Sequence, residues 1–157
     1  MLQVVPQPCE WVPVVSADPL PAFRCAEESD VWRVEFERRA AAAGLQAVRW
    51  PPVVPFDSAF AMRAATFAAG AGKTVAYALA AFRQAYAGGR DLSDPENVLV
   101  AAAACEIHPR ALLKGAALGS VARRLEQAIA EAPGPVPAIV VDGRVYAGEE
   151  SPELAAS

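Results

Sequence analysis

Three cysteines and a single histidine are the side chains of this 157-residue chain best suited to nucleophilic, metal-binding or general-base chemistry near neutral pH. Cys9, Cys25 and Cys105 are widely spaced, and no Cys-x-x-Cys pair occurs. With His108 as the only imidazole, zinc-type ligand spacing is absent and no metal site is expected. A thiol becomes reactive beside a cation or at a helix N-terminus. Cys25 follows Arg24 and lies at the predicted start of a helix, so it is the best-placed candidate nucleophile. The plainer reading of all three is reduced, mostly buried cysteine in a cytoplasmic protein. His108 precedes Pro109, which reads as a helix cap followed by proline in the first turn.

Gly70-Ala71-Gly72-Lys73-Thr74 invites comparison with a phosphate loop. That loop needs glycine five positions before Gly72, where this chain has Phe67, and a strand ahead of it. A predicted helix precedes it here, so the glycines read as a helix break.

The elements around these residues follow from periodicity and punctuation. Residues 10–15 read as a short strand that Pro13 pushes toward an edge. A helix runs from about Cys25 or Glu27 to Ala43, with Trp32, Phe36, Ala40 and Ala43 as its apolar stripe, Glu35 and Arg39 as an outer pair, and Gly44 as its stop. After an extended connector through Pro55, Asp57 or Ser58 caps the next helix. Val75, Leu79, Phe82 and Tyr86 mark another, ended by Gly88-Gly89. Asp94-Pro95 and His108-Pro109 each open a helix; Val98, Leu99 and Ala102 form the buried face of the first. Leu118, Val121, Leu125, Ala128 and Ile129 form the seam of the last helix. Proline residues 133, 135 and 137 then stop helical structure. Ala138 to Val141 and Arg144 to Ala147 flank Asp142-Gly143, a two-residue hairpin signal.

The run Pro135-Val136-Pro137-Ala138-Ile139-Val140-Val141-Asp142-Gly143-Arg144-Val145-Tyr146-Ala147-Gly148 resembles the end of a thioredoxin-fold domain. More narrowly it resembles the DsbA-like branch, with its 2-hydroxychromene-2-carboxylate isomerases and kappa-class glutathione transferases. Pro55-Phe56-Asp57-Ser58 with Ala61-Met62-Arg63-Ala64, and Ala81 to Tyr86 with Gly89 to Asp94, are similar to that branch in the same order. The resemblance covers roughly Cys9 to Gly148. It implies an α/β, thioredoxin-like fold: one domain over 1–150, an all-helical insertion at about 57–132, and a tail at 151–157. It implies a cis Pro137 and a thiol–disulfide oxidoreductase, or alternatively a glutathione-dependent isomerase or transferase. Val136 and Pro137 would hold a substrate backbone, and Asp57 and Ser58 would line the cleft. The isomerases usually carry asparagine where Asp57 stands. Glu149 and Glu150 lie where glutathione-using relatives meet the cofactor's free amine. The substrate would be a thiol or disulfide protein or a small molecule.

The family's catalytic turn, a Cys-x-x-Cys or a serine after the first strand, is not seen in this sequence. The first strand itself is expected to be missing. A longer chain, a dimer or a strand-supplying partner would then complete the sheet, because open edges leave backbone groups unpaired. A third reading is a redox-inactive, partner-binding remnant. Hydrophobic residues make up 54% of the chain, enough for a core, and the net charge is −4. That charge is no footprint for nucleic acid or membrane. No apolar run approaches the roughly 20 residues of a membrane helix, and no signal peptide is read at the start; a cytoplasmic protein is expected.

Overall fold

Local chemistry accounts for most helix boundaries in this chain. The computed structural model describes residues 12–13, 24–133 and 137–148. Helix α1 (Ala26–Ala42) has Cys25 at its N-cap, Glu27 and Glu28 in its first turn and Arg39 in its last. Those charges oppose the helix dipole as they should. Glu35 pairs with Arg38 at 2.6 Å, and the charge of Arg39 also reaches it. Gly44 takes a positive φ of 70°, and the Gly44 and Leu45 amides return to Ala41 and Ala40. Glycine accepts that conformation without a Cβ clash.

Helix α2 (Ala59–Gly70) starts where Asp57 Oδ1 accepts the Ala59 amide at 2.8 Å; Ser58 occupies the N-cap without a side-chain bond. It ends as α1 does, with Lys73 donating its amide to Ala68. Helix α3 (Thr74–Phe82) runs straight into a π-helical turn, Arg83–Ala87, closed by the Gly88 amide on the Arg83 carbonyl. A Cβ on Gly88 would sit 2.8 Å from the Gln84 carbonyl oxygen, so this turn needs glycine.

Helices α4 (Pro95–Ala103) and α5 (Pro109–Ala116) begin as their cap-plus-proline signatures predict. Asp94 accepts the Glu96 amide at 2.9 Å, and His108 Nδ1 accepts the Arg110 amide at 3.2 Å. Helix α6 (Gly119–Ala130) follows, with Val121 and Leu125 buried. Strands β1 (Ala138–Val141) and β2 (Arg144–Ala147) pair antiparallel, Ala138 opposite Ala147 and Val141 opposite Arg144. Asp142 and Gly143 both have positive φ, the requirement of the tight turn.

Helix α2 is the hub; α3, α4, α5 and α6 all pack on it. Its inward residues are Ala61, Ala64, Ala65, Ala68 and Thr66. Small side chains let neighbouring axes approach toward the near end of the usual spacing of about 8–10 Å. Larger groups fill the remaining space, with Tyr77, Val98 and Leu112 fully buried. The Tyr77 hydroxyl donates to the Ala61 carbonyl at 3.2 Å, which satisfies it inside the core.

The molecule is therefore helix-rich with a small two-stranded antiparallel sheet, the only sheet among the described residues. Of the expected strand at 10–15, only Val12 and Pro13 are described, and they lie in no strand. The apolar stripe on α3 departs from the expectation. Tyr77, Ala81 and Ala85 turn inward, while Val75, Leu79 and Phe82 are 42%, 43% and 52% exposed. Val75 to Phe82 is an unbroken run of apolar and aromatic residues, so spacing alone could not choose its buried face.

Candidate functional site

Asp57 and Ser58 stand at the entrance to the bundle, between the extended connector and α2. Asp57 is exposed and one carboxylate oxygen is engaged in the helix cap. The preceding residue, Phe56, joins an aromatic cluster. Its ring lies 6.5 Å from that of Tyr86, and Tyr86 lies 6.2 Å from Trp50 and 6.3 Å from Phe36. Trp32 completes the group, 5.5 Å from Phe36 and 5.4 Å from Trp50. These tilted and edge-on contacts suit the ring quadrupoles.

The π-helical turn helps position this cluster. Its carbonyl at Tyr86 accepts the Arg49 amide at 2.7 Å, which fastens the connector bearing Trp50 to the end of α3. Polar groups also converge on Trp50. The indole N–H donates to Glu37 at 2.6 Å, and the Arg33 guanidinium lies 5.2 Å from the ring centroid. Burial raises the Tyr86 phenol above its ordinary range. Together, these residues form a half-buried aromatic surface with an anion and a cation at its rim.

The thiols fall into two environments. Cys25 is exposed at the N-cap of α1, as its sequence position implied. Its neighbouring Arg24 is bound to Glu28 at 3.1 Å. The Cys25 thiol instead meets Glu27, whose carboxyl is lowered first by its own backbone amide and then by that thiol. Cys105 is buried, with its thiol on the Ala101 carbonyl at 3.3 Å. Burial pushes this thiol up, against the opposing pull of Lys73.

Lys73, from the glycine-lysine-threonine segment, is occupied. Its ammonium donates to the Cys105 carbonyl at 2.8 Å and lies 3.7 Å from the Glu106 carboxylate. It thus secures the end of α4, where Glu106 takes a positive φ of 59°. His108 acts as a cap. Among the described residues no group of three or more histidine, cysteine or acidic side chains is placed to hold a metal. No described helix is long and apolar enough to cross a membrane.

Pro137 is exposed at the mouth of β1, and its carbonyl accepts the Gly148 amide at 2.9 Å. Val136, Glu149, Glu150 and Cys9 lie outside the described residues, as does the geometry of the Val136–Pro137 bond. The cis bond in the described chain is Val54–Pro55. The aromatic cluster was not singled out by spacing, because its members come from α1, the connector and the π-helical turn. Their only sequence signal was the density of tryptophan, phenylalanine and tyrosine between residues 32 and 86. No family model matches the chain, and no curated protein or solved structure matches it either.

Proposed function

We propose that this chain is a DsbA-like, thioredoxin-fold protein that acts on thiols or disulfides. The observation that carries the reading is the element order: a helical bundle, then an exposed Pro137, then a hairpin closed by the Gly148–Pro137 bond. This is the arrangement that the resemblance implies for the helical insertion and the substrate-holding hairpin. In this reading the Val136 and Pro137 backbone aligns an extended substrate, and Asp57 and Ser58 border the cleft. Cys25 is the exposed thiol among the described residues and therefore the one open to exchange; Cys105 is shielded.

The test uses native protein isolated from its own cells, with its intact mass measured first. Reduction of insulin disulfides by that protein in the presence of glutathione is expected. Pro137→Ala is expected to weaken exchange while helix content is kept. Absence of both disulfide exchange and a glutathione adduct would sink the reading.

The aromatic cluster favours a second reading, a glutathione-dependent isomerase or transferase acting on small aromatic compounds. Phe56 places aromatic surface directly beside Asp57 and Ser58. Here glutathione supplies the sulfur, and Glu149 and Glu150 would meet its amine. Glutathione-dependent turnover of a small aromatic compound, without insulin reduction, would select this reading over the first.

A further inference from the structure

We propose that the α5–α6 corner is a docking surface for an acidic, leucine-bearing segment of a partner protein. Helix α5 buries Leu112, Gly115 and Ala116, which leaves Arg110, Leu113 and Lys114 on its outer face. Helix α6 buries Val121 and Leu125 and exposes Arg123 and Arg124. Between the helices Leu118 is 53% exposed, and Leu113 is 45% exposed.

Packing sets the two helices that carry the basic pairs against the same helix, α2. Gly115 lies so close to Phe67 that a Cβ there would fall 2.1 Å from the ring. The Arg124 guanidinium reaches Gly70, with Nη1 3.2 Å from where a Cβ would stand. Phe67 and Gly70 are one turn apart at the end of α2, so Gly115 of α5 and the Arg124 guanidinium of α6 both lie against that end.

No aspartate or glutamate occurs from Ile107 through Leu125, in a chain of net charge −4. Among the described residues, no carboxylate pairs with Arg110, Lys114, Arg123 or Arg124. Arg110 sits in the first turn of α5, where the dipole disfavours a cation. Its charge therefore does not serve its own helix. Four cations that pair with no carboxylate among the described residues, on the same two helices as two exposed leucines, complement a segment that alternates carboxylates with apolar anchors.

Two other polyanions fit less well. The described ring at the corner, Phe67, is packed against Gly115 and the core, and the clustered rings lie on α1, the connector and the π-helical turn, which leaves bases little to stack on. Its helices already spend their main apolar faces in the core, which leaves little to insert into a bilayer.

The probe is a fluorescein-labelled helical peptide with glutamates and leucines on one face, read by anisotropy against the full chain. Binding that weakens with added salt is expected. Arg110→Glu with Lys114→Glu, and Arg123→Glu with Arg124→Glu, are each expected to weaken it about tenfold or more. Leu113→Ser weakens it too, while Arg90→Glu, elsewhere on the surface, leaves it unchanged. Arg123→Gln with Arg124→Gln, at an unaltered melting temperature, separates lost charge from lost fold and is expected to weaken binding by a smaller factor. The proposal is overturned by absence of binding, by equal effects of Arg90→Glu, or by loss only in variants that melt early. Preference for phosphatidylserine vesicles or a single-stranded oligonucleotide over the peptide would also overturn it.

Discussion

Val98 and Val140 are the same residue in opposite circumstances. Val98, on α4, is fully buried, whereas Val140, on β1, is 55% exposed. The bundle from α2 to α6 closes on itself because alanines let the helices approach and Tyr77, Val98 and Leu112 fill what remains. The hairpin has apolar residues on both faces. Val140 and Val145 pair on one and Ile139 and Tyr146 on the other, with no described helix packed substantially against either. Apolar composition alone does not bury a residue; a second element has to lie against it. A two-stranded hairpin is marginal by itself in water, whereas the bundle has its own core. The bundle is therefore the cooperative unit, and the hairpin contributes an available surface.

Leu112→Ala tests that division most severely. The side chain is fully buried where α5 meets the alanine face of α2. Its loss should cost about 2–5 kcal/mol, read from the urea unfolding midpoint by circular dichroism. A cost below about 1 kcal/mol would mean that the bundle is loosely packed and the contrast with the hairpin is false. Gly115→Ala comes next. Its new methyl must displace the Phe67 ring or separate α5 from α2, for about 1–3 kcal/mol.

The elements themselves were largely legible because their punctuation is local. Asp94-Pro95, His108-Pro109 and Asp142-Gly143 each dictate backbone geometry within a few residues, and each appears where expected. Faces were less legible. On α3 Thr74 is followed by an unbroken run of apolar and aromatic residues, so the choice of Tyr77 over Leu79 was made by the helices around it. The Tyr77 hydroxyl bond to Ala61, sixteen residues away, left no trace in local spacing. The end of α4 was hidden too: Glu106 holds a conformation usually given to glycine, beside Lys73 from a distant turn. Asp57 was legible as a cap but not as the neighbour of an aromatic cluster, which needs three separate segments to come together.

Tyr77→Phe has a smaller expected effect. Removing the hydroxyl and its buried bond should cost about 1 kcal/mol near neutral pH. Burial raises the Tyr77 phenol far above its ordinary value. The unfolded chain therefore releases that proton first as pH passes about 10, and stability falls from there upward. Cys105, raised mainly by burial, adds the same sign from its ordinary value of 9.0 upward. Stability measured by urea at rising alkaline pH should decline in the native sequence and decline less steeply in Tyr77→Phe. Parallel declines would place the alkaline sensitivity outside the bundle core.

Val140→Thr should have the smallest effect, within about 0.5 kcal/mol of the native midpoint. Threonine keeps the β-branched shape that suits a strand and adds a hydroxyl that water can satisfy at an exposed position. The same change at Val98 would bury that hydroxyl among apolar groups and cost about 1–3 kcal/mol. Comparing the two isosteric substitutions holds side-chain chemistry fixed and varies only the cover. Equal costs would mean that something packs on the hairpin in solution. A partner, rather than the bundle, would then supply its missing face, and the Val140→Thr deficit would grow when that partner is added.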